Sequence, residues 1–173
     1  GFGAMVVGHA HPRIVEAIHE AAGGGTHFAV TTESAVRFGE EICRRFNLEM
    51  IRFANSGTEA ISHSLRIARG YTGRRKIAHF EGTFHGVLDE LYVGTSPPFN
   101  RPDCAGIPPS TYADTLICPF NDLERTAEIL RAHRGDLAGV VLEPVSGAIP
   151  ADPSFLRGLR ELTSELGALL IYD

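Results

Sequence analysis

The chain has 173 residues, 43% of them hydrophobic and 21% charged, the balance of one globular domain with a real core rather than a disordered chain. Its 16 basic and 21 acidic residues give a net charge of −5, which leaves no basic footprint for nucleic acid. No apolar run approaches the ~20 residues that span a bilayer, so no membrane partner is expected.

Residues 12–22 place Ile14, Val15, Ile18 and Ala22 at helical spacing, with Pro12 suited to the first position and Gly23-Gly24-Gly25 ending the run. A second helix is predicted over 33–46, capped by Thr32 or Thr31. Its Val36, Ile42, Cys43 and Phe46 face inward, and Glu40, Glu41, Arg44 and Arg45 face outward. From residue 50 the rhythm changes to strand–helix alternation. A short strand is read over 50–54, a helix over 57–71 with Ala60, Ile61, Leu65 and Ala68 on one side, and a strand over 76–80. Residues 88–93 read as a helical turn followed by a strand, and 95–114, rich in Pro, Gly, Ser and Asp, as a long functional loop. Then follow a strand over 115–118, a helix over 122–133 capped by Asn121, and a strand over 137–142. A helix over 153–166 capped by Asp152 and a last strand over 168–172 complete the pattern. Strands separated by helices give an α/β fold, a mostly parallel sheet with helices on both faces.

Several segments carry chemistry. Ser56-Gly57-Thr58 opens a helix, where unpaired N–H groups and the positive dipole end suit a phosphate; Ser56 and Glu59 are equally spaced for a capping box that only starts the helix. Asp173 follows the apolar run 168–172 at a strand's carboxyl end, where it can hold a proton on a ring nitrogen, bind a metal or cap a following helix. In Glu81-Gly82-Thr83-Phe84-His85-Gly86, Phe84 either stacks on a planar ligand or is ordinary core, and His85 either serves the ligand or is hydrogen-bonded structure. Glu143, before Pro144, reads foremost as a structural ion pair. His9 and His11, without acidic or cysteine partners nearby, do not make a metal site, and Cys43, Cys104 and Cys118 read as reduced thiols of a cytosolic protein.

Taken together and in order, seven segments resemble the class III aminotransferases, fold-type I pyridoxal-phosphate enzymes, in the flavour of glutamate-1-semialdehyde aminomutases and ω- or β-amino-acid transaminases. They are Gly8–Pro12, Arg52–Ala60, Tyr71–Ile77, Phe80–Gly86, Pro119–Leu123, Leu142–Gly147 and Leu169–Asp173. The resemblance implies pyridoxal 5'-phosphate as cofactor, with its phosphate on Ser56, Gly57 and Thr58, its ring against Phe84 and beside His85, and its ring nitrogen paired with Asp173. Asn55, Glu59 and Glu143 would support these contacts from behind. It also implies an amino donor and a keto acceptor as small-molecule partners, a cytoplasmic homodimer and no resident metal. Within it, residues 1–49 are a helical lead-in and 50–173 the cofactor-binding part of an incomplete large domain. Ala148 stands where the aminomutases carry asparagine, so a transaminase of an amino acid or amine fits at least as well.

Transamination needs a lysine to form the Schiff base and to move a proton. The family places it downstream of the strand that ends here at Asp173, so no catalytic residue is assigned within these 173 residues. The single lysine, Lys76, follows Arg74 and Arg75 at the far end of a strand and reads as a solvated cation. The chain is therefore expected to be an inactive internal fragment of a transaminase or aminomutase, the alternative being a non-catalytic truncated product. A nucleotide-dependent enzyme is disfavoured by the lack of a Gly-x-Gly-x-x-Gly or Walker sequence.

Overall fold

A computed structural model describes residues 4–173; Gly1, Phe2 and Gly3 of the opening segment lie outside it. The chain divides into two compact units, Gly1–Arg52 and Phe53–Asp173.

The first unit holds helices α1 (Pro12–Gly23) and α2 (Glu33–Phe46). Pro12 opens α1, where a missing N–H costs nothing. Thr32 caps α2 by accepting from the Ala35 amide at 3.3 Å, and Asn47 ends it in the left-handed region (φ 52°). The inward face expected on α2 is not formed. Only Gly39 is buried, Val36 and Phe46 are exposed, and Ile42 and Cys43 are half-buried. A unit of two helices supplies no second layer to cover that stripe.

Residues 50–54, expected as a strand, belong to neither sheet. The boundary between the units falls inside them, and a short apolar run does not distinguish a strand from a connection.

The second unit is built on a four-stranded, wholly parallel sheet in the order β2 (Thr115–Cys118), β1 (Lys76–Phe80), β3 (Leu137–Leu142), β6 (Leu169–Tyr172). Central β3 is buried throughout, as a continuous apolar strand must be when helices cover both faces. On one face, Ile61, Leu65 and Ala68 of α3 (Gly57–Thr72) pack against Ile77, Ala138 and Val141. On the other, Phe155, Leu159 and Leu162 of α5 (Pro153–Leu166) and Leu130 of α4 (Leu123–Ala132) pack against Ala78, Phe80, Val140 and Leu142. The expected α/β architecture is thus present. A two-stranded hairpin, β4 (Val145–Ser146) and β5 (Ile149–Pro150), follows β3.

Three further local readings are corrected. Asp122, not Asn121, caps α4, accepting from the Arg125 amide at 3.0 Å. Asn121 adopts φ 60° and ties the hairpin to α5 instead, donating to Pro150 O (3.1 Å) and accepting from Asp152 N (2.8 Å). Asp152 stands at the cap of α5, but its side chain makes no capping bond. Residues 88–93 form turns rather than a helix and strand, with only an isolated bridge from Val93 to Pro102.

Candidate functional site

The chain leaves β1 toward β2 on one side, and β3 lies on β1's other side. Such a reversal opens a crevice at the strands' carboxyl ends, where parallel sheets bind ligands. The loop 81–87 after β1, the loop 143–150 after β3, Asp173 after β6 and the start of α3 supply its side chains.

At the start of α3 the capping box forms. Ser56 Oγ accepts from Glu59 N at 3.2 Å, and a Glu59 carboxylate oxygen accepts from Asn55 N at 2.6 Å. These bonds occupy the Glu59 and Asn55 amides but not those of Gly57 and Thr58, which precede the first intrahelical bond. The capping and phosphate readings are therefore compatible. Ser56 Oγ also keeps its own proton to donate.

Thr58 links α3 to the loop after β1. Its hydroxyl oxygen accepts from Val87 N at 3.3 Å, which leaves the hydroxyl hydrogen for another acceptor. The approach is close because residue 86 is glycine. A Cβ there would lie 2.2 Å from Thr58 Oγ1, and Gly86 has φ +82°. His85, beside it, is buried, and its Nδ1 lies 2.8 Å from Asp173 Oδ2. An ionised carboxylate only accepts, so His85 donates from Nδ1. Asp173 Oδ1 then remains for a ligand, on a side chain 30% exposed. The Asp173 amide, bonded to Leu142 O at 3.0 Å, fixes the backbone.

Phe84 is half-exposed, not core, and stands edge-on to Tyr92 with ring centroids 6.0 Å apart. The expected ion pair at Glu143 is replaced by an amide contact, in which Glu143 Oε2 accepts from Phe84 N at 3.1 Å. A carboxylate can hold a loop N–H as well as it holds a cation, and the sequence offers no cue to distinguish the two. Ser146 Oγ donates to Gly82 O at 3.3 Å, joining the two loops again.

Two residues here escaped the sequence reading. His79 and Thr83 are both fully buried. The signal was a lone imidazole inside the apolar strand β1. Burial, above all, and then the neighbouring His85 push the His79 pKa down to about 3, against an opposing pull from Asp103. Lys76 is not the solvated cation expected. Its Nζ lies 3.5 Å from Asp114 Oδ1 with the side chain 19% exposed, at the opening end of β1, away from the strand tips.

The cysteines Cys43, Cys104 and Cys118 are free, and burial, followed by the charge of Glu81, raises the Cys118 thiol to about 12, which leaves it unreactive. Among the described residues no group of three or more His, Cys, Asp or Glu is placed to hold a metal, and no helix is long and apolar enough to cross a membrane.

The family profile described as aminotransferase class-III matches residues 1–173. This chain belongs to the class-III aminotransferases. It is 42% identical over 179 aligned residues to glutamate-1-semialdehyde 2,1-aminomutase 2 of Brevibacillus brevis, covering 99% of this chain and 42% of that protein. Among solved structures it resembles an omega-transaminase from Sphaerobacter thermophilus, with a TM-score of 0.93 and 36% identity over 99% of this chain and 42% of that one. It also resembles a structure described as a transaminase with PLP bound, with a TM-score of 0.92 and 40% identity over 98% of this chain and 41% of the other. The chain thus spans under half the length of these relatives.

Proposed function

We propose that this class-III chain forms the cofactor-gripping part of a pyridoxal-phosphate-dependent aminotransferase that moves an amino group from an amino acid or amine to a keto acceptor. The observation that carries this reading is the continuous run of contacts from the start of α3 through Thr58, Gly86 and His85 to Asp173. One end offers amides and hydroxyls, a donor set that suits a phosphate. The other offers a carboxylate with one oxygen to spare.

The chemistry the cofactor supplies when bound is an electron sink at its protonated ring. Gly57 N–H, Thr58 N–H and the Ser56 and Thr58 hydroxyls would hold the phosphate. Asp173 Oδ1 would keep a proton on the ring nitrogen through a charge-assisted hydrogen bond. His85 holds the other oxygen and so fixes the carboxylate's plane. Phe84 would cover the ring face, its backbone held by Glu143. We place the proton-shuttling lysine of this reaction outside these 173 residues, because Lys76 is ion-paired at the other end of the sheet.

In this reading residues 50–173 contribute to the larger domain of a cytoplasmic homodimer, with 1–49 leading into it. Exposed Ile14, Val15 and Ile18 of α1 supply apolar surface for such association. A second reading, an aminomutase that moves the amino group within one substrate, is favoured by the 42% identity to the Brevibacillus brevis enzyme. A panel of amino donors, given to the full-length protein while the cofactor's absorbance is followed, tests both. Conversion of the cofactor by several donors supports the transaminase, conversion by glutamate-1-semialdehyde alone supports the aminomutase, and a protein that takes up no cofactor defeats both.

A further inference from the structure

We propose that His79 is a positioning residue. With Thr83 it braces the His85 imidazole from behind, so that His85 keeps its Nδ1 proton aimed at Asp173. The inference rests on the reading of Asp173 as the partner of the cofactor's ring nitrogen.

The direction of the hydrogen bonds carries it. Thr83 has one hydroxyl proton, and it goes to Phe80 O at 2.6 Å. In its 3.4 Å contact with His79 Nδ1 the Thr83 oxygen therefore accepts, so His79 bears its proton on Nδ1 and a lone pair on Nε2. His85 likewise bears a proton on Nδ1, facing Asp173. The two rings meet edge to face, with centroids 5.9 Å apart and planes at 78°. Both Nε2 atoms are buried without a hydrogen-bond partner. A flip of either ring would leave Thr83 or Asp173 without its donor.

His79 is also held neutral. Burial and His85 oppose a charge on it, and only Asp103 favours one. A neutral brace leaves the negative charge of Asp173 to act on the ligand, whereas a cation behind His85 would offset part of it. The buried polar atoms that would otherwise be a cost thus gain a purpose: they specify one orientation of one ring.

The test uses the full-length holoenzyme. His79→Phe keeps a ring and removes both nitrogens. The midpoint of the pH titration of the bound cofactor's absorbance is expected to shift by about half to one pH unit, the effect of one ordinary hydrogen bond. His79→Asn, which retains a donor near the Nδ1 position, should recover most of that shift. His79→Phe combined with His85→Phe should shift the midpoint no further than His85→Phe alone, since His79 acts only through His85. An unmoved midpoint in His79→Phe, or effects of the two substitutions that add in full, would overturn the proposal. Nitrogen NMR of the histidine-labelled parent protein decides the matter without any variant. A neutral Nδ1–H tautomer at His79 together with a proton on His85 Nδ1 supports the brace, and an Nε2–H tautomer or an imidazolium at His79 near neutral pH defeats it. Asp173→Asn separates this from the underlying reading, because a cofactor titration that ignores that change removes the ring assignment and leaves the NMR result to judge the brace.

Discussion

Replacing Gly86 by alanine tests whether the loop after β1 and the start of α3 act as one grip. The added Cβ would lie 2.2 Å from Thr58 Oγ1 and 3.0 Å from the Thr58 Cα, distances at which something must move. Backbone strain at φ +82° adds roughly 1–2 kcal/mol, and overpacking about 1–3 kcal/mol more. Together these are a sizeable part of an ordinary domain's stability of about 5–15 kcal/mol. The cheaper response is for the loop to retreat from α3, which breaks the bond from Val87 N to Thr58 Oγ1 and turns that hydroxyl off its acceptor. Loss of one hydrogen bond to a charged phosphate, about 1.5–3 kcal/mol, weakens cofactor binding by roughly 10- to 100-fold. Gly82→Ala is the control. Its φ is +78°, yet the nearest atom to its Cβ would be Phe99 Cε1 at 4.0 Å, so it carries the strain without the collision. Cofactor titration of the full-length protein, with a thermal melt beside it, reads both effects. Equal cofactor affinity in the two variants would refute the reasoning, since only the contact with Thr58 distinguishes them.

Asp173→Asn keeps the shape and removes the charge that holds a ring proton; turnover in the full-length protein should fall by roughly 10- to 100-fold with the thermal midpoint nearly unchanged. Glu143→Ala removes the acceptor for Phe84 N in a solvent-exposed bond, a loss of about 0.5–1.5 kcal/mol; it should weaken cofactor binding, with Glu143→Gln restoring much of it. The third prediction concerns acid. Because the folded-state pKa of His79 is lowered to about 3, its neutral form stabilises the fold fully above the ordinary value of 6.5, and that contribution declines as pH falls from there toward 3. The slope is about 1.4 kcal/mol per pH unit, so urea unfolding at pH 5 should show about 2 kcal/mol of loss from this group, absent in His79→Leu. Parallel acid profiles for parent and variant would contradict it.

The sheet and the site were not equally legible. The buried strands and the helices that cover them follow from continuous apolar runs and helical spacing, as at Leu137–Leu142 and in α3. Thr32 and Ser56 cap as their types predict, because capping is a local bond. Asn121 defeated the same logic, since its partners lie some thirty residues on, in the hairpin and at Asp152. The missing strand over 50–54 and the uncovered face of α2 fail for a related reason: periodicity reports a wish to be buried, not the presence of a neighbour. The positions of Ser56, Thr58, Phe84, His85 and Asp173 on strand and helix ends were readable; the bonds among them were not. Local sequence is silent on long-range partners such as Glu143 for the Phe84 amide and His79 for the His85 ring.

The tie between Thr58 and the 81–87 loop has a consequence for how such a protein diversifies. Both anchors of the proposed ligand hang on one interlocked set of backbone turns, whereas the 95–114 loop and the exposed hairpin over 145–150 contribute none of its donors. Selection can therefore redraw the substrate's surroundings through those outlying segments and leave the hold on a shared reagent untouched.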